Sequence, residues 1–481
     1  MSPTLIITLI LSYFFILILI SYVTGKKTDN DTFFKAGRQS PWYLVAFGMI
    51  GASLSGVTFI SVPGWVEASK FGYYQVVLGY IVGYLVVGLV LLPLYYRLNL
   101  TTIYTYLEDR FGQFSYKTGA TFFILSRTIG ASFRLYLVAI VLQSLVFDAM
   151  NIPFWATVSI TIGLIWLYTF RSGIKTIVWT DTLQTLFMLI AVGYAIYYIS
   201  DGLGISGSNL INYVSESELS QIFFFDDVKS ANYFWKQFLS GAFITIVMTG
   251  LDQDMMQKNL TCRNLKDAQK NMFWFTIVLV FVNLLFLVLG LLLTVYAQEN
   301  GIDASKDLLF PTIATQSDMG IGLAIVFILG LIAAAYSSAD GALTALTTSF
   351  CIDIIDLEKK YEAQKQVKIR KLIHIGFSLL FIVIMVGFKY LVDDASVIER
   401  LFVFAGYTYG PLLGLFAFGL FTKWQVRDKI VPIIAILSPI LSYIISVNSA
   451  KWFGFEFGFF ILILNGFLTF TGLVLIRGKQ H

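Results

Sequence analysis

Charged residues are scarce in this chain, and their scarcity argues against a soluble protein. Asp, Glu, Lys and Arg together make up 13% of the 481 residues, whereas hydrophobic residues make up 57%. A soluble protein of this length uses about twice that share of charge to cover its surface. The composition therefore predicts a protein whose surface faces lipid over much of its area.

Histidine and cysteine are also rare, which removes several kinds of chemistry. His374 and His481 are too few for a membrane hydrolase or acyltransferase that works through histidine. Cys262 and Cys351 stand alone, without the spacing of a metal site or a disulfide framework. The sequence also shows no nucleophile–base pair and no metal cluster, so it predicts a protein that is not an enzyme. The net charge of +4 is small and indicates no nucleic-acid partner.

Long apolar segments, separated by charged loops, run along the whole chain. Segment 3–23 carries no charge and lacks the cationic start and cleavage pattern of a signal peptide, so we expect a retained first helix. Only helices and closed barrels satisfy their backbone hydrogen bonds inside lipid, and these segments are too long for barrel strands. The sequence thus predicts an all-α membrane protein with about thirteen transmembrane helices. The predicted spans are 3–23, 41–69, 72–96, 115–148, 153–170, 173–199, 234–256, 272–297, 317–350, 372–392, 395–422, 430–448 and 452–476.

The basic residues indicate how these spans are oriented. If the N-terminus faces outside, most of the 33 Lys and Arg residues fall in cytoplasmic loops and few fall in outer loops. Such an asymmetry follows the positive-inside rule. We therefore expect an external N-terminus, a cytoplasmic C-terminus and a location in the inner or plasma membrane. No loop is long enough to fold by itself, so residues 1–481 are expected to form a single transmembrane domain.

Small and polar residues interrupt two of the predicted spans near their middle. The second span reads Gly-Ala-Ser-Leu-Ser-Gly at 51–56, and the seventh has a comparable interruption at 245–250, followed by Asp252. Such stretches weaken a helix and bring hydroxyl groups near the bilayer centre, although close helix packing is the alternative explanation. Two interruptions five spans apart indicate inverted repeats, at 41–199 and 234–422, with a substrate site between the breaks.

Carboxylates and hydroxyls lie inside two further spans. Asp181 stands near the cytoplasmic end of the sixth span, and Asp340 follows Ser337 and Ser338 in the ninth. An ionisable residue inside a span is costly and therefore suggests a function. Hard cations such as Na⁺ prefer oxygen ligands of this kind. The alternative for either aspartate is a structural role, such as a pair with a nearby basic residue.

Two arginines, Arg127 and Arg134, lie inside the fourth span. They are seven residues apart and share a helical face, with Arg134 close to mid-span. A guanidinium at that depth must face protein, water or a ligand, and its shape suits a carboxylate held by two hydrogen bonds. Pairing with a carboxylate of the helix bundle is an equally open alternative for either arginine.

Six sequence motifs occur in order over most of the chain. They lie at 33–38, 102–112, 172–184, 252–257, 334–340 and 409–414. Each alone is weak, but six in register are specific, and together they resemble the sodium:solute symporter family. The resemblance implies a LeuT-type core of five plus five helices in inverted repeat, with one extra helix at 3–23 and two at 430–476. It also implies Na⁺-driven uptake of a solute by alternating access.

The resemblance implies the ligands of the cations as well. A second Na⁺, found in some members, would use the positions of Asp181, Ser337, Asp340 and Gly341. This chain departs here from relatives that carry hydroxyl residues at the last two positions, so Asp340 either strengthens the second site or pairs with a cation instead. The main Na⁺ site would use the backbone carbonyls of Gly51, Leu54 and Ala334 and the hydroxyls of Ser337 and Ser338.

Substrate-binding positions follow from the same resemblance. Hydroxyls with one arginine are more similar to the sialic-acid branch than to sugar-transporting relatives, which carry larger amide or carboxylate side chains. We therefore expect a monomeric carrier in the bilayer that couples the transport of Na⁺ to that of a small organic solute. The solute is either a carboxylate-bearing compound, such as sialic acid, or a sugar. The open alternatives are a proton-coupled carrier of the same fold, with Asp181 carrying the proton, and a membrane enzyme. The implied positions are Ser53, Ser55, Thr58, Gln75, Arg134, Thr245 and Thr249.

Overall fold

The computed structural model describes residues 3–24, 30–170, 173–205, 207–316, 320–391 and 397–478. Ser172, which begins one of the six motifs, lies outside these ranges. Within them the chain is nearly all helical, with two isolated β-bridges, Ser40 to Cys262 and Val426 to Arg477, and no strand. The prediction of an all-α protein is confirmed.

The helices that build the membrane domain are numbered α1 to α14 here. Their bounds are Pro3–Thr24 (α1), Trp42–Ser69 (α2), Tyr73–Val86 (α3), Gln113–Leu142 (α4), Phe154–Thr169 (α5), Ile174–Gly202 (α6), Phe234–Thr245 (α7), Gln253–Asn259 (α8), Leu265–Glu299 (α9), Ile321–Ser349 (α10), Ala363–Leu391 (α11), Val397–Phe421 (α12), Val431–Phe453 (α13) and Ile461–Leu475 (α14). Four of them, α3, α4, α7 and α10, continue as π-helical turns at Val87–Leu91, Gln143–Phe147, Ile246–Gly250 and Phe350–Ile354. Short helices lie at Asn30–Lys35, Leu92–Arg97, Thr105–Arg110, Gly207–Glu216, Leu309–Gln316 and Leu357–Lys360.

Local sequence signals mark several of the helix starts. Pro41 and Pro153 stand directly before α2 and α5, where the missing N–H and the fixed φ of proline are tolerated. The side chain of Asn264 caps α9 by accepting a hydrogen bond from the backbone N–H of Asp267. Asp252 caps α8 in the same way. These caps satisfy donors that the first turn of a helix leaves unpaired.

The predicted spans coincide with helices along the whole described chain. By length and hydropathy, ten helical stretches of the described residues could cross a membrane, or eleven if the bent pair α7 and α8 is one span. One of the ten, Trp42–Arg97, runs through both α2 and α3, while α5 has only 16 residues. The number of thirteen therefore stays a prediction, because it depends on how these two cases are counted.

The first predicted interruption is a break in the backbone of α2. Ser55 has φ 45° and ψ 168°, which is far from helical, and it lies inside the segment 51–56 that the sequence marked. A residue other than glycine at such a positive φ is strained, and strain of this kind clusters at functional sites. The break leaves backbone groups beside Ser55 outside the helical hydrogen-bond pattern.

The second predicted interruption separates α7 from α8. The π-helical turn after α7 ends at Gly250, and the two helices meet at an angle of 68°. Tyrosine hydroxyls satisfy the carbonyls released there: Tyr95 donates to Gly250 at 2.8 Å, and Tyr104 donates to Leu251 at 2.9 Å. Backbone of this kind is tolerated at membrane depth when neighbouring side chains satisfy it.

Close helix packing holds the two broken helices in place. Helix α2 packs against α6, α9 and α10, and α3 packs against α7. A Cβ at Gly79 of α3 would lie 2.0 Å from the carbonyl oxygen of Phe238, and one at Gly241 of α7 would lie 2.0 Å from that of Val76. Only glycine allows the α3 and α7 backbones to approach this closely.

Candidate functional site

A cavity of about 670 Å³ lies beside both helix breaks. Residues of α2, α3, α4, α7, α8, α9 and α12 form its wall. Polar and apolar groups are mixed in the wall, as in pockets that orient a small ligand through a few polar contacts. Six of the seven substrate positions that the resemblance implies line it: Ser53, Ser55, Thr58, Arg134, Thr245 and Thr249.

The seventh position, Gln75, is not brought to this cavity. Its amide nitrogen donates to the carbonyls of Gly72 at 3.2 Å and Asn232 at 3.1 Å. Its amide oxygen accepts a hydrogen bond from the backbone N–H of Phe224 at 3.2 Å. Gln75 is fully buried, and these contacts tie the start of α3 to the loop before α7. Its contacts in the structure are those of a structural residue.

The two arginines of α4 differ in their partners. The guanidinium of Arg127 pairs with Asp254, and its Nη1 lies 3.8 Å from Asp252. Arg134 forms no ion pair with any residue that the structure describes, and its Nε has no hydrogen-bond partner there. Both line the cavity, and Arg134 is only 9% exposed. Of the two arginines, Arg134 is therefore the one whose charge has no carboxylate partner among the described residues.

The cavity wall also contains aromatic and amide side chains that the sequence reasoning missed. Tyr73, Tyr80 and Tyr84 of α3 face the cavity, with the hydroxyls of Tyr73 and Tyr80 2.8 Å apart. Asn283 of α9 joins them. The tyrosines are seven and four residues apart, which places them on one helical face, and that spacing was the signal available in the sequence.

The predicted main Na⁺ ligands meet where α10 crosses α2. Ser338 donates a hydrogen bond to the carbonyl of Ala52 at 3.2 Å. The hydroxyl oxygen of Ser337 lies 3.3 Å from the position that a Cβ on Gly51 would take. Among the described residues, that buried hydroxyl has no hydrogen-bond partner. Leu54 and Ala334 are buried on the same two helices.

These groups fit a small hard cation. The hydroxyl of Ser337 is buried, and its oxygen carries lone pairs that can coordinate a cation. Hydroxyl and carbonyl oxygens are the ligands that hard cations prefer. The predicted ligands also lie beside the break at Ser55, where the backbone of α2 departs from helical geometry. The types of ligand predicted for the main Na⁺ site and the positions of those residues in the structure therefore both suit a bound Na⁺.

The residues of the predicted second site also come together, but around a lysine. Nζ of Lys258 lies 2.8 Å from a carboxylate oxygen of Asp181 and 3.6 Å from one of Asp254. The same ammonium lies 2.8 Å from where a Cβ on Gly341 would be. Asp340 accepts hydrogen bonds from the hydroxyl of Tyr168 at 3.0 Å and from the N–H of Gly341 at 2.6 Å. Sequence reasoning missed Lys258.

Two of the sequence motifs meet close to these sites. Gln257, in the seventh-span motif, donates to the carbonyl of Phe34 at 2.7 Å and to the hydroxyl of Thr348 at 3.1 Å. Phe34 belongs to the motif before α2. These two motifs, far apart in the sequence, are therefore in direct contact.

Comparisons with known proteins place the chain among transporters. It is 23% identical to the sodium/sialic acid symporter NanT of Aliivibrio fischeri, over 93% of this chain and 89% of the relative. It is 24% identical to the sodium/sialic acid symporter SiaT of Proteus mirabilis, over 87% of this chain and 85% of the relative. A solved structure of a Na⁺-coupled sialic acid symporter, in a substrate-bound outward-open state, superposes with a TM-score of 0.81 at 20% identity. That superposition covers 99% of both chains and confirms the LeuT-type fold.

The family itself follows from a match over most of the chain. The model of the sodium:solute symporter family matches residues 33–427. Secondary active transport and Na⁺ as the coupling ion, both implied by the six motifs, are confirmed with it. This chain belongs to the sodium:solute symporter family.

Proposed function

We propose that this symporter carries a small solute that bears a carboxylate, with sialic acid as the leading candidate. The observation that carries the proposal is Arg134, a buried guanidinium without an ion pair among the described residues, facing a cavity lined by hydroxyls. A charge at this depth needs a partner. A solute carboxylate supplies one through two charge-assisted hydrogen bonds.

The remaining cavity groups suit the rest of a polyhydroxylated acid. Ser53, Ser55, Thr58 and Thr249 offer hydroxyls that both donate and accept hydrogen bonds. The hydroxyl of Thr245 already donates to its own helix, so it offers mainly acceptor capacity. Both of the relatives named above are sialic acid symporters, which supports the same choice.

The main Na⁺ is proposed to bind the carbonyls of Gly51, Leu54 and Ala334 with the hydroxyls of Ser337 and Ser338. This cation would join α2 to α10 directly beside the break at Ser55. It would hold the broken segment in the conformation that presents Ser53 and Ser55 to the solute. Na⁺ binding would thereby raise solute affinity, and by linkage the solute would raise Na⁺ affinity.

The architecture is proposed to be a single transmembrane domain of two inverted repeats, 41–199 and 234–422. One helix at 3–23 precedes them and two at 430–476 follow. The two breaks support this division, because each lies in the first helix of its repeat. We propose a monomer in the inner or plasma membrane, with an external N-terminus and a cytoplasmic C-terminus. We also propose that it transports its solute without chemical change.

The test is thermal stability of the purified protein against a panel of solutes, in NaCl and in KCl. The panel contains sialic acid, pantothenate, proline, galactose and myo-inositol. A ligand that binds only the folded state raises the midpoint of unfolding by mass action. We expect sialic acid to do so in sodium and not in potassium. Stabilisation by a neutral sugar instead would refute the carboxylate assignment, and solute stabilisation in potassium that changes with the pH of the solution would favour proton coupling.

The matched variants are Arg134→Gln and Arg110→Gln. Arg110 donates to the carbonyls of Gly419, Thr422 and Trp424, and none of these four residues lines the cavity. We expect Arg134→Gln to weaken sialic acid binding about 30-fold or more, since truncating one partner of a buried charge pair costs about 2–5 kcal/mol. Arg110→Gln should leave the affinity unchanged.

A further inference from the structure

Lys258 occupies the position where a second cation would bind. Its ammonium lies 2.8 Å from Asp181, the aspartate that the family pattern assigns to that cation. Gly341, the last position of the same predicted site, faces the ammonium directly, because a Cβ there would be 2.8 Å from Nζ. The lysine is 1% exposed, so solvent does not screen its charge.

We infer that Lys258 is a tethered replacement for the second Na⁺, and that this symporter therefore moves one Na⁺ with each solute. The residues present do not fit a second sodium ion. An ammonium and a sodium ion carry the same charge, and both would use the carboxylate of Asp181 as their counter-charge. Their mutual repulsion in a poorly screened site would exclude the mobile ion.

The two departures from the family pattern have one explanation under this inference. Where relatives carry two hydroxyl residues, this chain has Asp340 and Gly341. Glycine leaves room for the ammonium, since a Cβ would also lie 2.5 Å from a carboxylate oxygen of Asp254. The carboxylate of Asp340 is held by Tyr168 and by the N–H of Gly341, so it contributes negative charge without needing a metal ion.

The tethered cation also connects the solute cavity with the main Na⁺ site. From the cavity side, Arg127 pairs with Asp254, and Asp254 lies 3.6 Å from Lys258. Lys258 then pairs with Asp181. All of these groups are buried. Helix α8 carries both Asp254 and Lys258, so it holds the link on one short rigid element.

Beyond Asp181 the connection continues through hydrogen bonds. The hydroxyl of Thr185 donates to the carbonyl of Asp181 at 2.8 Å and accepts from the N–H of Gly51 at 3.0 Å. Gly51 is a proposed ligand of the main Na⁺. The ammonium of Lys258 cannot leave the protein. It would therefore keep the ion pairs and hydrogen bonds between the cavity and Gly51 in place throughout the transport cycle, whereas a second Na⁺ would dissociate.

The inference rests on the proposed function in one respect, namely that Na⁺ binds the main site. The experiment counts Na⁺ in two ways: equilibrium binding of ²²Na⁺ to the purified protein, and the Na⁺-to-solute flux ratio in proteoliposomes loaded with sialic acid. We expect one Na⁺ per protein and per solute, with a Hill coefficient of about 1 for Na⁺, because the coefficient cannot exceed the number of coupled sites. Two Na⁺ in the unaltered protein would overturn the inference.

The variants are Lys258→Met, which removes the charge at similar length, and Lys258→Arg as the charge-conserving control. We expect ²²Na⁺ binding by Lys258→Met to rise from one to two per protein, while Lys258→Arg stays at one. A Lys258→Met protein that still transports with one Na⁺ would also overturn the inference. The double variant Lys258→Met, Asp340→Ser restores one hydroxyl of the relatives' pattern, keeps Gly341 because a Cβ there would lie 2.5 Å from Asp254, and is expected to bind two.

Two outcomes separate this inference from the proposed function. If no solute of the panel is carried, the proposed substrate fails, but the count of bound ²²Na⁺ still tests the lysine. If Lys258→Met does not fold, the stoichiometry of the unaltered protein decides alone, and one Na⁺ supports the inference.

Discussion

Ser338 on α10 donates a hydrogen bond of 3.2 Å to the carbonyl of Ala52 on α2, three residues before the break at Ser55. The contact joins the helix that supplies the proposed Na⁺ hydroxyls to the helix that supplies the proposed solute hydroxyls. A cation bound beside this hydrogen bond would interact with both helices. Ion and solute binding are therefore expected to be coupled through a short path rather than over a long distance.

The double change Ser337→Ala and Ser338→Ala should remove sodium dependence. It deletes the two side-chain ligands of the proposed main site, and we expect Na⁺ affinity to fall at least 10-fold, about 1.4 kcal/mol. The measurement is the Na⁺ dependence of the unfolding midpoint and of solute uptake.

The matched control is Thr344→Ala, which removes another buried hydroxyl of α10 that has no hydrogen-bond partner among the described residues. It should keep normal sodium dependence. Unchanged Na⁺-driven uptake in the double variant would contradict the proposed site.

Arg127→Gln and Arg134→Gln should have opposite profiles. Arg127 pairs with buried Asp254, so its loss leaves that carboxylate with only the more distant ammonium of Lys258, at 3.6 Å, and is expected to lower the free energy of unfolding by about 3–5 kcal/mol. Arg134 has no such partner among the described residues, so its loss should cost solute affinity and little stability. Thermal unfolding with and without sialic acid distinguishes the two. Equal destabilisation by both changes would assign Arg134 a structural role.

Gln75→Ala should lower stability without changing solute affinity. The side chain makes three hydrogen bonds to backbone groups, two of which tie α3 to the loop before α7, and each is worth about 0.5–1.5 kcal/mol. Thr249→Val, in the cavity wall, should instead weaken solute binding about 2- to 10-fold, the value of one hydrogen bond. Uptake kinetics and unfolding midpoints measure both effects. A large rise in KM for Gln75→Ala would contradict this prediction and indicate that Gln75 takes part in solute binding.

Gly241→Ala should disrupt the contact between α3 and α7. The new Cβ would lie 2.0 Å from the carbonyl oxygen of Val76, and backbone cannot yield as a flexible side chain does. Overpacking of this kind costs about 1–3 kcal/mol or more. Gly193→Ala is the control, because nothing lies within 4 Å of a Cβ there. We expect the control to be neutral or slightly stabilising, as alanine favours helix over glycine. Unfolding midpoints of the two variants in detergent make the comparison.

The sequence by itself determined the class of protein, the positions of its helices and both of their breaks. Low charge and long apolar segments decide membrane insertion, because transfer to lipid depends on composition over a local window. The breaks at Ser55 and after Gly250 were predictable for the same reason, since small and polar residues weaken a helix where they stand. The sequence did not determine the number of spans, because α2 and α3 lie in one long helical stretch, Trp42–Arg97, and α5 has only 16 residues.

Only the tertiary structure decided which polar side chains are paired and which are free. Arg127 and Arg134 share a helical face, look alike in the sequence and both line the cavity, yet Arg127 pairs with Asp254 and Arg134 has no ion pair among the described residues. Gln75 was predicted at the substrate site and lies against a loop, while Lys258 was overlooked and lies beside Asp181. Pairing depends on distances between helices that are far apart along the chain. A local sequence pattern does not contain those distances. In the poorly screened interior, the distances decide which charged side chains have a partner of opposite charge within the protein and which do not.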